Sequence, residues 1–203
     1  IRQFFNISLE LVRRMMSSKV PMKFEKGIVL MNIFVTPQGL ESEIKGEKKC
    51  YQHYYGEFEQ YLTDNENKNI VFYPVFYGFK NQSDGIKLLR QSKVNYLVPD
   101  DYLSIIDYVW IMFRSVMFLT IKIPHSSFRG VEITKLLYNE IHQKSFSWNC
   151  ISALLNYRVS MKLAKSNIKF KKLIVWSENQ VTDRGLTLGF QTYFPKVPIM
   201  AYK

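Results

Sequence analysis

Two hydrophobic periods alternate along this chain. Uninterrupted apolar runs of strand length lie at residues 27–35 (GIVLMNIFV), 70–77 (IVFYPVFY) and 173–176 (LIVW), with shorter ones at 94–98 and 197–202. Runs that lack polar alternation suit strands covered on both faces. Between them apolar residues recur at helical spacing. Residues 1–18 set Phe4, Phe5, Leu9, Val12, Met15 and Met16 against Arg2, Glu10, Arg13 and Arg14, which predicts an amphipathic helix packed on the core. Residues 102–119 are apolar almost all round, 133–141 and 150–164 are amphipathic, and Leu186, Leu188, Phe190 and Tyr193 follow the run at 173–176.

The chain closes with a strand, a crossover helix and a strand over residues 173–203. A connection of that length requires parallel pairing with a right-handed crossover. The predicted fold class is therefore α/β: a Rossmann-like parallel sheet with helices on both faces. It forms one domain, 1–203, with a helical segment at 102–164 inserted before the last strand–helix–strand unit.

Breakers and charges refine this outline. Residues 36–49, with Pro37, Gly39 and Gly46, read as a long loop at the carboxyl end of the first strand. Residues 51–62 read as a tyrosine-rich cluster around Gly56 leading into a helix, 64–69 as a polar turn and 94–98 as a third short strand ended by Pro99. Pro74 is expected to limit pairing near the end of its strand. Asp100 and Asp101 are expected to cap the helix that follows. Arg158 and Lys162, four apart, are expected to share a solvated helix face.

Composition bounds the function classes. With 47% hydrophobic and 15% aromatic residues among 203, the chain is globular rather than disordered. Cys50 and Cys150 are far apart and lack metal-ligand spacing, which suggests a reducing compartment and buried or idle thiols. The net charge of +11 and pI near 9.5 fit nucleic acid, an anionic membrane face or a phosphate-bearing substrate, and do not choose among them. The longest apolar region, 102–123, is broken by Asp107, Arg114 and Lys122, so it is expected to be buried or interfacial rather than spanning. The first residues carry no secretory signal pattern. Because the chain stops at Lys203 directly after a predicted strand, it is expected to be part of a longer protein.

No P-loop, dinucleotide-binding glycine fingerprint, nucleophile elbow or HExxH motif is present. The polar residues that draw attention cluster after the run at 173–176: Glu178, Asn179, Gln180, Asp183 and Arg184. Residues just beyond the carboxyl end of a parallel strand occupy the usual ligand position of α/β sheets, next to a helix N-terminus that favours anions. Glu178 there is the candidate general base, and capping the following helix is its alternative role. His53 and Tyr55, within the tyrosine-rich segment, are candidates to line a sugar or a base, against simple packing. Arg129, before Gly130 and a helix, is a candidate for a phosphate or carboxylate.

Ser177-Glu178-Asn179-Gln180, followed by Asp183-Arg184-Gly185 and a strand ending in Ala201-Tyr202, resembles a segment of bacterial surface-carbohydrate biosynthesis proteins, the glycosyltransferases of O-antigen and capsule loci, with Asn179 where that pattern has glycine. Tyr54-Tyr55-Gly56-Glu57-Phe58 and Phe128-Arg129-Gly130 are similar to its other two blocks, in the same order. The resemblance implies a two-domain, GT-B-type transferase of which this chain is the N-terminal, acceptor-side half. It implies a nucleotide-sugar donor substrate with no bound cofactor or metal, and a glycan or lipid-linked acceptor. It also implies work in the cytoplasm, at the inner face of the membrane. Glu178 is then the base or a substrate ligand, and Gln180, Asp183 and Arg184 orient hydroxyls or phosphate. Two other classes stay open: a basic nucleic-acid-binding module, disfavoured by scattered lysines, and a non-catalytic interaction domain docking through the helix at 102–119.

Overall fold

The computed structural model describes residues 2–16, 19–21, 27–144, 147–176 and 181–202. The chain runs α1 (Arg2–Met15), β1 (Ile28–Val35), α2 (Pro37–Lys45), α3 (Gln52–Tyr55), α4 (Asp64–Lys68), β2 (Ile70–Phe76), α5 (Gln82–Leu89) and α6 (Ile105–Met117). It continues with a hairpin of β3 (Ser127–Phe128) and β4 (Val131–Glu132), then α7 (Thr134–Lys144), α8 (Trp148–Lys165), β5 (Phe170–Trp176), α9 (Val181–Tyr193) and β6 (Ile199–Tyr202). The main sheet is four parallel strands in the order β2-β1-β5-β6. The expected α/β, Rossmann-like architecture is what the chain adopts.

β1 is apolar at every position but Asn32 because helices cover both faces of the sheet. Ile28 and Leu30 join Val71, Tyr73, Leu173 and Val175 under α1, α6, α8 and α9, while Met31, Ile33 and Val35 join Ile70 and Phe72 under α2, α3 and α5. The helices α8 and α9 meet at close quarters through Gly185 and Gly189. A Cβ on Gly185 would overlap the Ala153 backbone, and one on Gly189 would press on Ser160. Small residues four apart let two helix backbones approach in this way.

Several local expectations need correction. The segment expected to be a loop after β1 holds α2, because its breakers sit where a helix tolerates them. Thr36 is the N-cap and accepts from the Gly39 N–H, Pro37 occupies the first turn, and Gly46 ends the helix with φ 80°. In the tyrosine-rich segment the helix, α3, comes before Gly56 (φ 61°) rather than after it, where only a 3-10 turn forms, Phe58–Tyr61. The polar turn at 64–69 is α4, closed by a capping box between Thr63 and Glu66. Residues 94–98 make only an isolated bridge, Tyr96 to Phe72, which leaves β2 an edge strand there. That also explains Pro74: pairing with β1 continues past it to Val35↔Phe76, since a proline on an outer strand costs no ladder bond on the paired side.

The charge expectations are corrected as well. Asp100 and Asp101 lie in a 3-10 turn, Pro99–Asp101, ahead of α6, and cap nothing. Asp100 is fully buried against Arg14, with Nε and Nη2 both 2.6 Å from its two oxygens, and accepts from the Tyr108 hydroxyl at 2.6 Å. Asp101 pairs with Arg90 at 2.6 Å. Arg158 and Lys162 do not share a fully solvated face: half-buried, they turn inward and reach Asp107, wholly buried on α6, at 2.6 and 2.9 Å. These pairs fasten α6 to α8, and the turn ahead of α6 to α1 and to the end of α5.

Candidate functional site

The strand order creates a crevice. From the end of β1 the chain turns through α2 toward β2, whereas from β5 it turns through α9 toward β6 on the opposite side. Connections that leave two neighbouring parallel strands in opposite directions open a cleft outside their carboxyl ends, the usual ligand site of such sheets.

Aromatic side chains line that edge. Phe34 near the end of β1 lies 5.8 Å, centroid to centroid, from Tyr54 on α3, and Tyr54 lies 5.3 Å from Trp176, the last residue of β5. Trp176 is 5.3 Å from Tyr202 at the end of β6, and Tyr55 is 6.3 Å from Trp176 and 5.5 Å from Tyr202. Tyr55 is held by its hydroxyl, which donates to the Asn32 carbonyl at 2.9 Å. Burial first, and then the neighbouring Tyr202, push its pKa up, so it remains a neutral donor at physiological pH. The exposed His53 stands edge-on to Tyr54 at 5.1 Å. It also lines a cavity of about 220 Å³ with Thr36, Lys48 and Lys49.

A second cavity, also about 220 Å³, opens on the other side of Phe34. Its walls include Phe76, Tyr77, Gln82, Trp148, Asn156 and Thr182, with Arg14 at hand. All three Arg14 nitrogens are engaged: Nε and Nη2 by Asp100, and Nη1 by Gln82 at 3.1 Å. Beneath this cavity runs a neutral polar chain: the Tyr73 hydroxyl donates to Asn156 at 2.8 Å, and the Asn156 amide donates to the Thr182 carbonyl at 3.2 Å. The Asn32 side-chain oxygen and the Thr182 hydroxyl are buried and find no partner among the described residues. Buried polar atoms left open in this way call for water or a ligand group.

The sequence-selected residues separate into four groups. Tyr55 and His53 sit together on α3 at the aromatic edge. Asp183 is buried and Arg184 exposed in the first turn of α9, where a carboxylate is favoured by the helix dipole. Glu178, Asn179 and Gln180 fall between Trp176 and Val181 and lie outside the described residues. Arg129 is elsewhere: it occupies the tip of the β3–β4 hairpin at φ 52°, stacked 5.4 Å over Phe128, and no described hydrogen bond or ion pair joins it to the others. Sequence reasoning passed over Phe34, Trp176 and Tyr202 as strand residues. The signal that marks them is an aromatic ring at the last positions of parallel strands, together with Asn32, the one polar residue inside an otherwise apolar run.

Among the described residues no group of three or more His, Cys, Asp or Glu gathers at metal-binding distance. Comparison with protein-family models, with curated proteins and with solved structures finds no match for this chain.

Proposed function

We propose that this chain is the acceptor-side domain of a GT-B-type glycosyltransferase, moving a sugar from a nucleotide-sugar donor to a glycan or lipid-linked acceptor. The observation that carries the reading is the aromatic wall of Phe34, Tyr54, Tyr55, Trp176 and Tyr202 at the carboxyl ends of three parallel strands. Its Trp176 is only two residues from Glu178. Aromatic faces accept the C–H face of a pyranose, and the polar groups around them take its hydroxyls.

In this reading Glu178 accepts the proton of the acceptor hydroxyl as that oxygen attacks the anomeric carbon. The bond from that carbon to the nucleotide's phosphate oxygen breaks, and the leaving group carries away the electron pair. Asn179 and Gln180 hold hydroxyls beside Glu178, and the exposed Arg184 meets phosphate with the α9 N-terminus. Asp183 steadies the first turn of α9.

The test is mass-spectrometric detection of sugar transfer by the full-length protein, offered pooled nucleotide sugars and extracted lipid-linked acceptors. Glu178→Gln is expected to lower the rate by about 100-fold or more, the range of a lost general base. Arg184→Ala is expected to raise KM for the donor more than it lowers kcat. No transfer from any donor, or transfer untouched by Glu178→Gln, would sink the reading.

A further inference from the structure

The helix α6 carries its apolar and charged residues the wrong way round for a soluble helix. Its buried face holds Asp107 and Ser115 beside Tyr108 and Ile111. Its open face holds Ile105, Ile106, Val109, Phe113, Val116 and Met117. At 100° per residue these six fall within about 120° of arc, one continuous stripe. Ile106 is 73% exposed, Val109 and Phe113 61%, and Ile105 60%. The inward charge has a structural reason, since Asp107 ties α6 to α8 through Arg158 and Lys162. No such reason accounts for the stripe, and solvent-facing apolar patches of this kind mark interaction surfaces.

The charges beside the stripe indicate what covers it. Arg114 lies at its edge, exposed and stacked 5.7 Å over Trp110. Past the helix end the chain passes through the turn Phe118–Thr120, which packs against α7, to the exposed Ile121 and Lys122. The hairpin that follows shows Phe128 and Val131 to solvent with Arg129 at its tip. Over residues 105–132 the exposed charges are thus three cations, Arg114, Lys122 and Arg129, and one carboxylate, Glu132. An apolar stripe edged mainly by cations complements a surface that is apolar within and anionic at its rim. A second copy fits poorly, since each chain carries +11 and like charge opposes the encounter.

We propose that the open face of α6 is a docking surface for an anionic lipid bilayer. The helix lies in the interface plane, with Ile106, Val109 and Phe113 entering the acyl boundary and Arg114, Lys122 and Arg129 meeting lipid phosphates. The described helices include none long and apolar enough to cross a membrane, and a stripe along one side of a helix about 20 Å long matches a helix that lies on the surface. This inference rests on α6 and the segment that follows it, and stands or falls independently of the transferase reading.

Sedimentation of the full chain with two vesicle preparations tests it: phosphatidylcholine alone, and phosphatidylcholine with phosphatidylglycerol in equal parts. The chain is expected to bind the mixed vesicles, to ignore the neutral ones, and to let go as salt is raised. Val109→Asp with Phe113→Asp is expected to lower the vesicle affinity by about tenfold or more, with thermal unfolding unchanged because both side chains face solvent. Reversing Arg114, Lys122 and Arg129 to Glu keeps the stripe and is expected to weaken binding to the mixed vesicles alone. Absence of sedimentation with the mixed vesicles would overturn the proposal, as would equal binding by the Val109/Phe113 variant. So would a solution dimer that this variant dissociates while vesicle binding is unchanged, since the stripe would then belong to a second copy.

Discussion

The two helical layers of this sheet are fastened by different chemistry. On the face covered by α1, α6, α8 and α9, two buried carboxylates meet cations: Asp100 grips Arg14, and Asp107 holds Arg158 and Lys162. On the face covered by α2, α3 and α5, the buried Glu43 is satisfied by neutral donors only, the Cys50 N–H at 2.8 Å, the Ser92 hydroxyl at 2.6 Å and the Tyr96 hydroxyl at 3.0 Å. Rings pack on both faces, Phe170 with Phe190 and Phe194 on the first, but here they stand without buried ion pairs beside them, as where Tyr51 stacks 4.4 Å on Phe72. Ion pairs in a low-dielectric core demand one geometry, whereas apolar contacts tolerate small slides. The layer held by ion pairs is the one that lines the Arg14 cavity and presents α6 to solvent. The ring-packed layer supplies α3 to the aromatic edge.

The largest effect should come from breaking the charge pairing on the first face. Asp100→Asn leaves the Arg14 guanidinium buried without its counter-charge, and urea unfolding at neutral pH is expected to show a loss of about 3–5 kcal/mol. Glu43→Gln removes an anion that no cation balances and is expected to cost about 1–2 kcal/mol, the scale of its lost hydrogen bonds. Equal losses would erase the distinction between the layers. Replacing the first pair with Arg14→Met and Asp100→Leu together sharpens it, because an apolar substitute of similar volume is expected to recover much of the Asp100→Asn loss.

The same contrast explains how far the sequence alone could be read. The parallel sheet was legible because both-face burial writes itself as continuous apolar runs, as in residues 28–35 and 173–176. So was the α9 crossover, whose length allows only one pairing. Ion pairs were not legible. Arg14 and Asp100 are 86 residues apart, Arg158 and Asp107 51 apart, and nothing local distinguishes a Lys162 turned onto a buried carboxylate from a solvated one. Local reasoning also misjudged residues whose meaning depends on position, as when Pro37 and Gly46 start and stop α2 instead of forbidding it. Of the site, Tyr55 and His53 could be picked out by aromatic density, but Phe34 and Tyr202 join them only when the strand order is known.

The second effect separates the layers by pH. Burial alone would raise the Asp107 pKa, but the Ser104 hydroxyl and N–H, Lys162 and Arg158 outweigh it and hold the carboxyl at about 2, against an ordinary 3.8. A carboxylate with a depressed folded pKa adds stability that is fully present above its unfolded pKa and is lost as pH falls through the folded one. Unfolding free energy is therefore expected to drop by on the order of 1–2 kcal/mol between about pH 4 and pH 2 on account of this residue. Asp101 runs the other way, its carboxyl raised by burial despite Arg90, so the net acid slope mixes both signs. Comparing the slope with that of Asp107→Asn isolates the Asp107 share. An unchanged slope would show that the contacts to Arg158 and Lys162 do not favour the charged form.

The smallest effect probes the ring-packed layer without disturbing it. Burial pushes the Cys50 thiol up to about 12, and the adjacent Glu43 carboxylate adds to the shift. Because the thiolate is the reactive form, native Cys50 is expected to resist iodoacetamide at neutral pH for as long as the α2–α3 layer stays closed. Cys150, half-buried beside Ser147 and Val181 and also raised by burial, is expected to react slowly but first. Peptide mass spectrometry of protein alkylated in increasing urea then reports when each layer opens. If the ring-packed layer is the looser of the two, Cys50 becomes reactive at urea concentrations below the global transition, and Glu43→Gln lowers that threshold further. If Cys50 becomes reactive only together with global unfolding, the layers open as one cooperative unit, and their difference in chemistry is a difference in geometry rather than in local stability.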